Sequence, residues 1–474
     1  MATPAAPDLD LSGILSRQRG AFQREGPPPL GTRLDDLDRL ARAITSHQAS
    51  FIESISADFG YRSRHETMML ELATTLEGIR YLRHHLRRWM RPQRRQVPLT
   101  FQPASNRVLY QPIGVVGIIS PWNYPASLAL MPLATALAAG NRVMLKPSEI
   151  TSRTSELLRA MLGGAFGPEQ VAVVTGDSTV GAAFAALPFD HLLFTGSTPV
   201  GRAVMRAASE GLVPVTLELG GKSPAIVQAG SSLELAARRI AYGKLANGGQ
   251  TCVAPDYALV AEAEVEPFVA EYGRQVAALY PDIEQNPDYS TIVSDHHWHR
   301  LHGLIEDARA KGARIVELAS LPGGRATRHP RTFLPVVILG ATPAMRVMHE
   351  EIFGPVLPVL AYQSMAAAVA HVNSHPRPLA LYFFGPQGPD RRLVLERTVS
   401  GGVSINDTLL HYGQDDLPFG GIGASGIGAY HGPEGFKAMS HARAVFEQAR
   451  FNLTDVIRPP YGRLIDRVIR LLLR

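Results

Sequence analysis

The sequence predicts an α/β protein: a doubly wound parallel-sheet domain followed by a second α/β domain. Three observations lead there. Short apolar, β-branched runs alternate with helical stretches between residues 113 and 220, the pattern of parallel strands joined by crossover helices. The alternation restarts after Gly221. The chain has 474 residues, too many for one ordinary core.

Taken in order, residues 8–92 read as helices, with apolar positions at helical spacing through LDRLARAITSHQASFIESISADFG. Residues 93–110 are polar and proline-containing and read as an extended arm or hairpin. Strands follow at 113–120, 142–146, 171–176, 191–196 and 215–220, with helices at 128–139, 152–166, 179–186 and 199–210. The domain boundary falls near 218–222. Beyond it, YALV (257–260), VLPVL (356–360), LALYFF (379–384) and GGVSI (401–405) are candidate strands. The end, YGRLIDRVIRLLLR, alternates Leu464, Ile465, Val468, Ile469 and Leu472 with Arg463, Arg467, Arg470 and Arg474 as an amphipathic helix. It is expected to dock on protein or a subunit partner rather than on a membrane.

Composition narrows the function classes. A single cysteine excludes an intrachain disulfide and fits a reducing compartment, so a cytoplasmic location is expected. The start MATPAAPDLDLSGIL lacks the basic and long apolar segments of a secretory leader. No window approaches 18 uninterrupted apolar residues, so no transmembrane helix is expected. The net charge of +5 owes much to RYLRHHLRRWMRPQRR (80–95), with seven arginines. Without an accompanying nucleic-acid module it reads as a solvated helix with a basic C-terminal end, and no nucleic-acid partner is expected.

A dinucleotide needs a phosphate-binding turn. G-x-G-x-x-G occurs once, as GIGASG (421–426), after LPFG rather than an apolar strand. It is rejected as a phosphate loop. LLFTGSTPVG (192–201) is better: a strand runs into Thr195, Gly196 and Ser197, Thr198 is placed to cap a helix, and Pro199 takes its first position before Gly201. Free N–H groups there would receive a pyrophosphate. Lys146 and Glu149 in LKPSE end another strand and could bond both hydroxyls of a ribose, or form only a surface strand end.

Cys252, in NGGQTCVAPD, is the chain's one thiol and looks placed for its sulfur rather than for packing. Three further segments converge with it: PWNYP (121–125) around Asn123, LELGGK (217–222) with Glu218 at the boundary, and EEIFGPV (350–356) with an acidic pair.

PWNYP, KPSE, FTGS, LELGGK, GQTCVAPDY, EEIFGPVLPV and LPFGGIGASGIGAYHG together resemble the NAD(P)-dependent aldehyde dehydrogenases, in the family's order, from about Arg33 to Ala444. GQTCVAPDY and SGIGAYHG resemble the dimeric class 3 branch. ADFGYRSRHETMMLE, HLRRWMRP and GFKAMSHARAVFEQARFN are most similar to the bacterial coniferyl aldehyde dehydrogenases.

The resemblance implies a Rossmann-like cofactor domain (1–92 and 111–220), a catalytic domain (221–417) and an oligomerisation arm with C-terminal segment (93–110 and 418–474). It implies oxidation of an aromatic, coniferyl-type aldehyde to the acid, with medium or long-chain aliphatic aldehydes as the alternative, by a cytoplasmic homodimer.

Cys252 would be the nucleophile, its pKa lowered by local dipoles and the nicotinamide charge. The Asn123 amide and the Cys252 N–H would hold the oxyanion. Glu218, with a raised pKa, would be the base for thioester hydrolysis. The resemblance further implies that Lys146 and Glu149 hold the adenosine ribose. Trp122, Thr195, Gly196, Ser197, Gly201 and Leu219 would line the pyrophosphate and nicotinamide region, and Glu351 and Phe353 would position the nicotinamide ribose. NAD is the expected cofactor, since Glu149 should repel a 2′-phosphate; a rotated side chain leaves NADP open. No metal is implied, so His296, His299 and His302 of DHHWHRLH are expected on a solvent-facing helix. His411 and Tyr412 are expected at the substrate mouth.

Overall fold

The computed structural model describes residues 10–319, 327–452 and 458–473. Arg474 and residues 1–9, which enter the terminal-helix and leader readings, lie outside them.

The N-terminal region is helical, as its periodicity predicts: Leu11–Glu25, Leu30–Ser46, Gln48–Phe59 and Thr74–Trp89. Between the last two lies a π-helical stretch, Thr67–Ala73, which no sequence pattern announced. Wider turns of this kind recur at functional sites, and this one turns Glu71 into the interior. The basic helix Thr74–Trp89 buries Ile79, Leu82 and Leu86 on one face, leaving most of its arginines toward solvent.

The five strands expected between 113 and 220 form one parallel sheet. Its spatial order is Val215–Glu218, His191–Thr195, Val115–Ile119, Arg142–Lys146, Val171–Val173, and Gly426–Ile427 is added antiparallel beside Val215–Glu218. Val116 and Ile118 enter one core and Val115 enters another, so both faces are covered, as a parallel sheet requires. The chain starts at the central Val115–Ile119, fills one side, then crosses to His191–Thr195 on the other. The strand order therefore reverses between these two strands, the place where such sheets bind ligands beyond their carboxyl ends.

The second sheet has seven strands in the order Arg314–Glu317, Val336–Leu339, Val356–Tyr362, Tyr257–Ala261, Pro224–Val227, Ala380–Phe384, Gly402–Ile405, parallel except at Arg314–Glu317. Three of these were not foreseen. Pro224–Val227 follows Glu218 after only five residues with no helix between, so the chain changes sheets where alternation predicts a crossover. Arg314–Glu317 and Val336–Leu339 are four residues each, too short to show a period.

The wholly buried helix Ser127–Ala139 lies in a core that also takes Val116 and Leu193 from the first sheet and Ala258 and Tyr382 from the second. Within residues 93–112, Gln93–Arg95 pairs with Ser105–Pro112, which pairs in turn with Ser440–Glu447 in a three-stranded antiparallel sheet. The terminal helix Arg463–Leu472 buries Ile465 and leaves Leu464, Ile469 and Leu471 exposed. Among the described residues no helix is long and apolar enough to cross a membrane.

Candidate active site

Cys252 leaves a loop that only unusual backbone could make. Asn247, Gly248 and Gly249 all have positive φ (55°, 60° and 78°). A Cβ on Gly249 would lie 2.4 Å from the carbonyl carbon of Gly354, so glycine there lets the cysteine loop touch the Phe-Gly-Pro turn backbone to backbone. The loop is then pinned by its amides. Gln250, fully buried, donates to Asn247 O (2.8 Å) and Thr291 O (3.0 Å) and accepts from Val293 N (2.9 Å).

Asn123 comes to the same place from the first sheet. Its Nδ2 donates to Gln250 O at 3.1 Å, and its carbonyl accepts from Asn247 Nδ2 at 2.8 Å and from Arg62 Nη1 at 3.1 Å. A primary amide has two hydrogens, so one remains for a ligand. Arg62 itself forms a fully buried ion pair with Glu71 (2.6 Å). The other Glu71 oxygen accepts the N–H groups of Ala126 and Ser127 at the start of the buried helix. Glu66 accepts the Asn247 N–H at 2.8 Å and the Ser290 hydroxyl.

Glu218 ends the strand Val215–Glu218 and is 3% exposed, and neither carboxylate oxygen has a partner among the described residues. Burial pushes its pKa well above the ordinary carboxylate range. Its carbonyl accepts the Gly196 N–H at 3.0 Å, tying the cofactor turn to this residue. Glu351 accepts the Gly221 N–H and lies against Gly220, with its pKa raised to about 8 by desolvation and then by Asp256. The acidic pair at 350–351 is divided: Glu350 faces out, paired with Arg346 at 2.7 Å.

Lys222 and Asp256 form a second buried ion pair. Lys222 also donates to Val347 O and Glu350 O, and Asp256 accepts the Ile352 N–H, so three chemical segments share one clasp.

The Cys252 sulfur feels both Glu218 and Glu351. Its pKa is pushed up to about 12, first by burial and then by these carboxylates, while its own and the Val253 N–H groups pull the other way. This corrects the part of the expectation that local dipoles carried; the nicotinamide charge is the other part. Local dipoles are present but weaker than desolvation, so the resting sulfur is a neutral thiol.

Several of the residues expected to hold the cofactor lie around the reversal point. Ser120 and Thr195, ending the two strands on either side of it, each carry a buried hydroxyl with no partner among the described residues. The helix Thr198–Glu210 starts behind Ser197 with no side chain capping it. Thr198 was expected as that cap; its hydroxyl instead donates to Ala424 O at 3.0 Å, because the GIGASG loop folds against the turn. Gly201 gives room to Leu219, which a Cβ would strike at 2.6 Å. Lys146 and Glu149 pair at 2.8 Å beyond the neighbouring strand. Trp122 and Phe353 meet edge to face at 5.4 Å, and Phe353 holds a φ of 51°. Orphaned hydroxyls, an uncapped helix start and a cationic strand end together fit a dinucleotide.

His296, His299 and His302 are on the exposed side of the helix Asp295–Ala310. Tyr412 lines a cavity and its phenol feels the Cys252 sulfur. His411 does not line it; its Nδ1 bonds Ser404 Oγ at 2.9 Å. Sequence reasoning missed Arg62, Glu66, Glu71, Gln250 and Asp256, whose partners lie in distant segments.

The model of the aldehyde dehydrogenase family matches residues 5–445. The chain is 50% identical over 459 residues to a probable coniferyl aldehyde dehydrogenase of Pseudomonas aeruginosa, covering 97% of this chain and 95% of that one. It is 45% identical over 464 residues to the coniferyl aldehyde dehydrogenase of Pseudomonas sp. strain HR199, covering 98% and 96%. The solved substrate-bound state of Staphylococcus aureus AldH superposes with a TM-score of 0.91 at 34% identity, covering 98% of this chain and 99% of that one.

Proposed function

The chain belongs to the aldehyde dehydrogenase family, and on that premise we propose that Cys252, Glu218 and Asn123 carry its reaction on an aromatic aldehyde of the coniferyl type. The enzyme oxidises an aldehyde to a carboxylic acid with NAD(P). NAD(P), when bound, supplies the two-electron acceptor that takes hydride from the adduct. What remains is done by this chain.

Cys252 Sγ gives its proton to solvent water and bonds the carbonyl carbon, and the carbonyl π electrons move onto oxygen. The unspent Asn123 amide hydrogen and the Cys252 N–H stabilise that oxyanion; losing one such donor costs about 3 kcal/mol of barrier. After oxidation a thioester is left on Cys252. Glu218 removes a proton from water, the water oxygen bonds the acyl carbon, and the C–S bond breaks to release acid and thiolate.

Lys146 and Glu149 would hold the adenosine ribose, Thr195, Gly196, Ser197, Gly201 and Leu219 the pyrophosphate side, and Trp122, Glu351 and Phe353 the nicotinamide side. We assign 1–92 with 111–220 to the cofactor domain, 221–417 to the catalytic domain, and 93–110 with 418–474 to an oligomerisation arm. A homodimer is supported by exposed Leu99, Phe101 and Phe446 on the arm, and a cytoplasmic location by the lone free thiol.

The observation that carries the reading is the meeting of one thiol with an unpartnered carboxylate and a half-used amide. The test is NAD(P)H formation with coniferyl aldehyde, with and without coenzyme A, in wild type and Cys252→Ser. Wild type should work without coenzyme A and the variant should lose nearly all turnover. A fully active variant, or strict dependence on coenzyme A, refutes the assignment.

A further inference from the structure

Of the described helices, Arg463–Leu472 divides apolar from charged residues most sharply. At about 3.6 residues per turn, Arg463, Asp466, Arg467 and Arg470 fall within one arc. Leu464, Ile465, Val468, Ile469 and Leu471 fill the arc opposite.

A helix so divided ordinarily lays its apolar arc on protein, and the sequence predicts that here. The structure shows otherwise. Ile465 is the only buried side chain described on this helix. Leu464 and Ile469 are exposed, and Leu471 and, just past the helix, Leu473 are 74% and 82% exposed. Tyr461, two residues before the helix, is exposed as well. A contiguous apolar patch bounded by charge marks a surface that meets something other than water.

The basic arc is equally unused. Arg463, Arg467 and Arg470 are exposed, and no carboxylate pairs with them among the described residues. The Arg470 guanidinium donates only to its own helix, at Asp466 O (3.2 Å). A protein or a second copy lying on the leucines would leave these guanidiniums in water with nothing to bind. An anionic bilayer surface engages both arcs: the leucines enter the boundary of the acyl chains, and the guanidiniums meet headgroup phosphates, which they can grip at two oxygens. Tyr461 has the amphipathic ring favoured at that depth. Ten residues make a helix about 15 Å long, half of the hydrocarbon thickness of about 30 Å, so it lies in the surface and does not cross.

We propose that the helix Arg463–Leu472 docks the enzyme on an anionic phospholipid surface. The helix follows Ser440–Glu447 of the arm sheet and takes no part in that sheet's pairing, so docking is separable from the dimer contact assigned to the arm. It brings the enzyme to a phase that concentrates apolar aldehydes.

The test sediments the full chain with vesicles of phosphatidylcholine alone and of phosphatidylcholine containing about one third phosphatidylglycerol. Wild type should bind the anionic vesicles about tenfold or more tightly than the neutral ones, and salt at about 1 M should remove most of that difference. Leu464→Gln/Leu471→Gln should lower binding to both vesicles by about tenfold or more. Arg463→Gln/Arg467→Gln/Arg470→Gln should reduce anionic binding to the neutral level. All five side chains are exposed, so both variants should keep wild-type aldehyde turnover without vesicles and elute at wild-type size. Failure of wild type to sediment with anionic vesicles, equal binding to the two compositions, or binding that either variant leaves unchanged overturns the assignment. A leucine variant that elutes as a smaller oligomer gives the apolar arc to a second copy of the chain and overturns it equally.

Discussion

Replacing Arg62 by Met tests whether the catalytic loops are held by charge rather than by packing. Arg62 and Glu71 are both fully buried, with 2.6 Å between them. The guanidinium lies 5.0 Å from the Phe59 ring and 4.8 Å from the Tyr124 ring, a volume that a methionine can fill. The loss is therefore chiefly electrostatic. Stranding a buried charge by deleting its partner costs about 3–5 kcal/mol. Glu71 keeps the Ala126 and Ser127 N–H groups, which places the expected loss at the lower end, about 3 kcal/mol.

Function should suffer as well. The Asn123 carbonyl keeps only the Asn247 amide, so the oxyanion donor shifts, and kcat should fall roughly tenfold, short of the cost of losing the donor outright. Burial already raises the Glu71 pKa against the opposing pull of Arg62; without Arg62 it rises further. A carboxyl raised in the folded state contributes stability that is lost as pH rises through its folded pKa, so the variant should weaken more steeply than wild type toward alkaline pH. Denaturant unfolding at several pH values and steady-state kinetics read all three effects. Arg62→Met/Glu71→Gln should recover at least half of the stability. A single variant within 1 kcal/mol of wild type, or a double variant worse than the single, refutes the argument.

Glu218→Gln should give a burst of reduced cofactor followed by stalled turnover, and wild-type deacylation should rise with pH through the raised Glu218 pKa while the variant stays flat; an unchanged steady-state rate removes Glu218 from the base role. Because burial pushes the Cys252 thiol up to about 12, very little of it is ionised at pH 8 without ligands. Iodoacetamide labelling should then climb about tenfold per pH unit from pH 7 to 10, and a plateau below pH 9 contradicts this. Gly249→Ala puts a methyl 2.4 Å from Gly354 C on a backbone at φ 78°, and should cost about 1–3 kcal/mol together with most of kcat; wild-type turnover in this variant shows that the loop can yield.

Residues whose chemistry is local were legible in the sequence, and residues whose chemistry depends on a partner were not. The strands from 113 to 220 announce themselves by composition, and Cys252 by being alone. Arg62 and Glu71 look like ordinary charges in a helical stretch, because nothing local shows that a π-helical turn buries one against the other. Lys222 and Asp256 sat inside quoted motifs, yet their pairing closes 34 residues and reaches a third segment at 347–352. The effect of local dipoles on the thiol was misjudged for a related reason. Nearby N–H groups can be guessed from a glycine-rich loop, but the burial that outweighs them is a property of the assembled crevice.

That burial suggests how the steps are ordered. The Cys252 sulfur lies within the fields of Glu218 and Glu351, and all three groups have raised pKa values. Ionising either carboxylate therefore makes ionising the thiol harder. Once the sulfur has bonded carbon and the resulting oxyanion has collapsed to a thioester, the sulfur carries no charge. From then until the C–S bond breaks, the sulfur puts no charge beside Glu218 as it takes a proton from water. The thiolate thus stands beside the base only before the C–S bond forms and after it breaks, and no moving part is required to separate attack from hydrolysis.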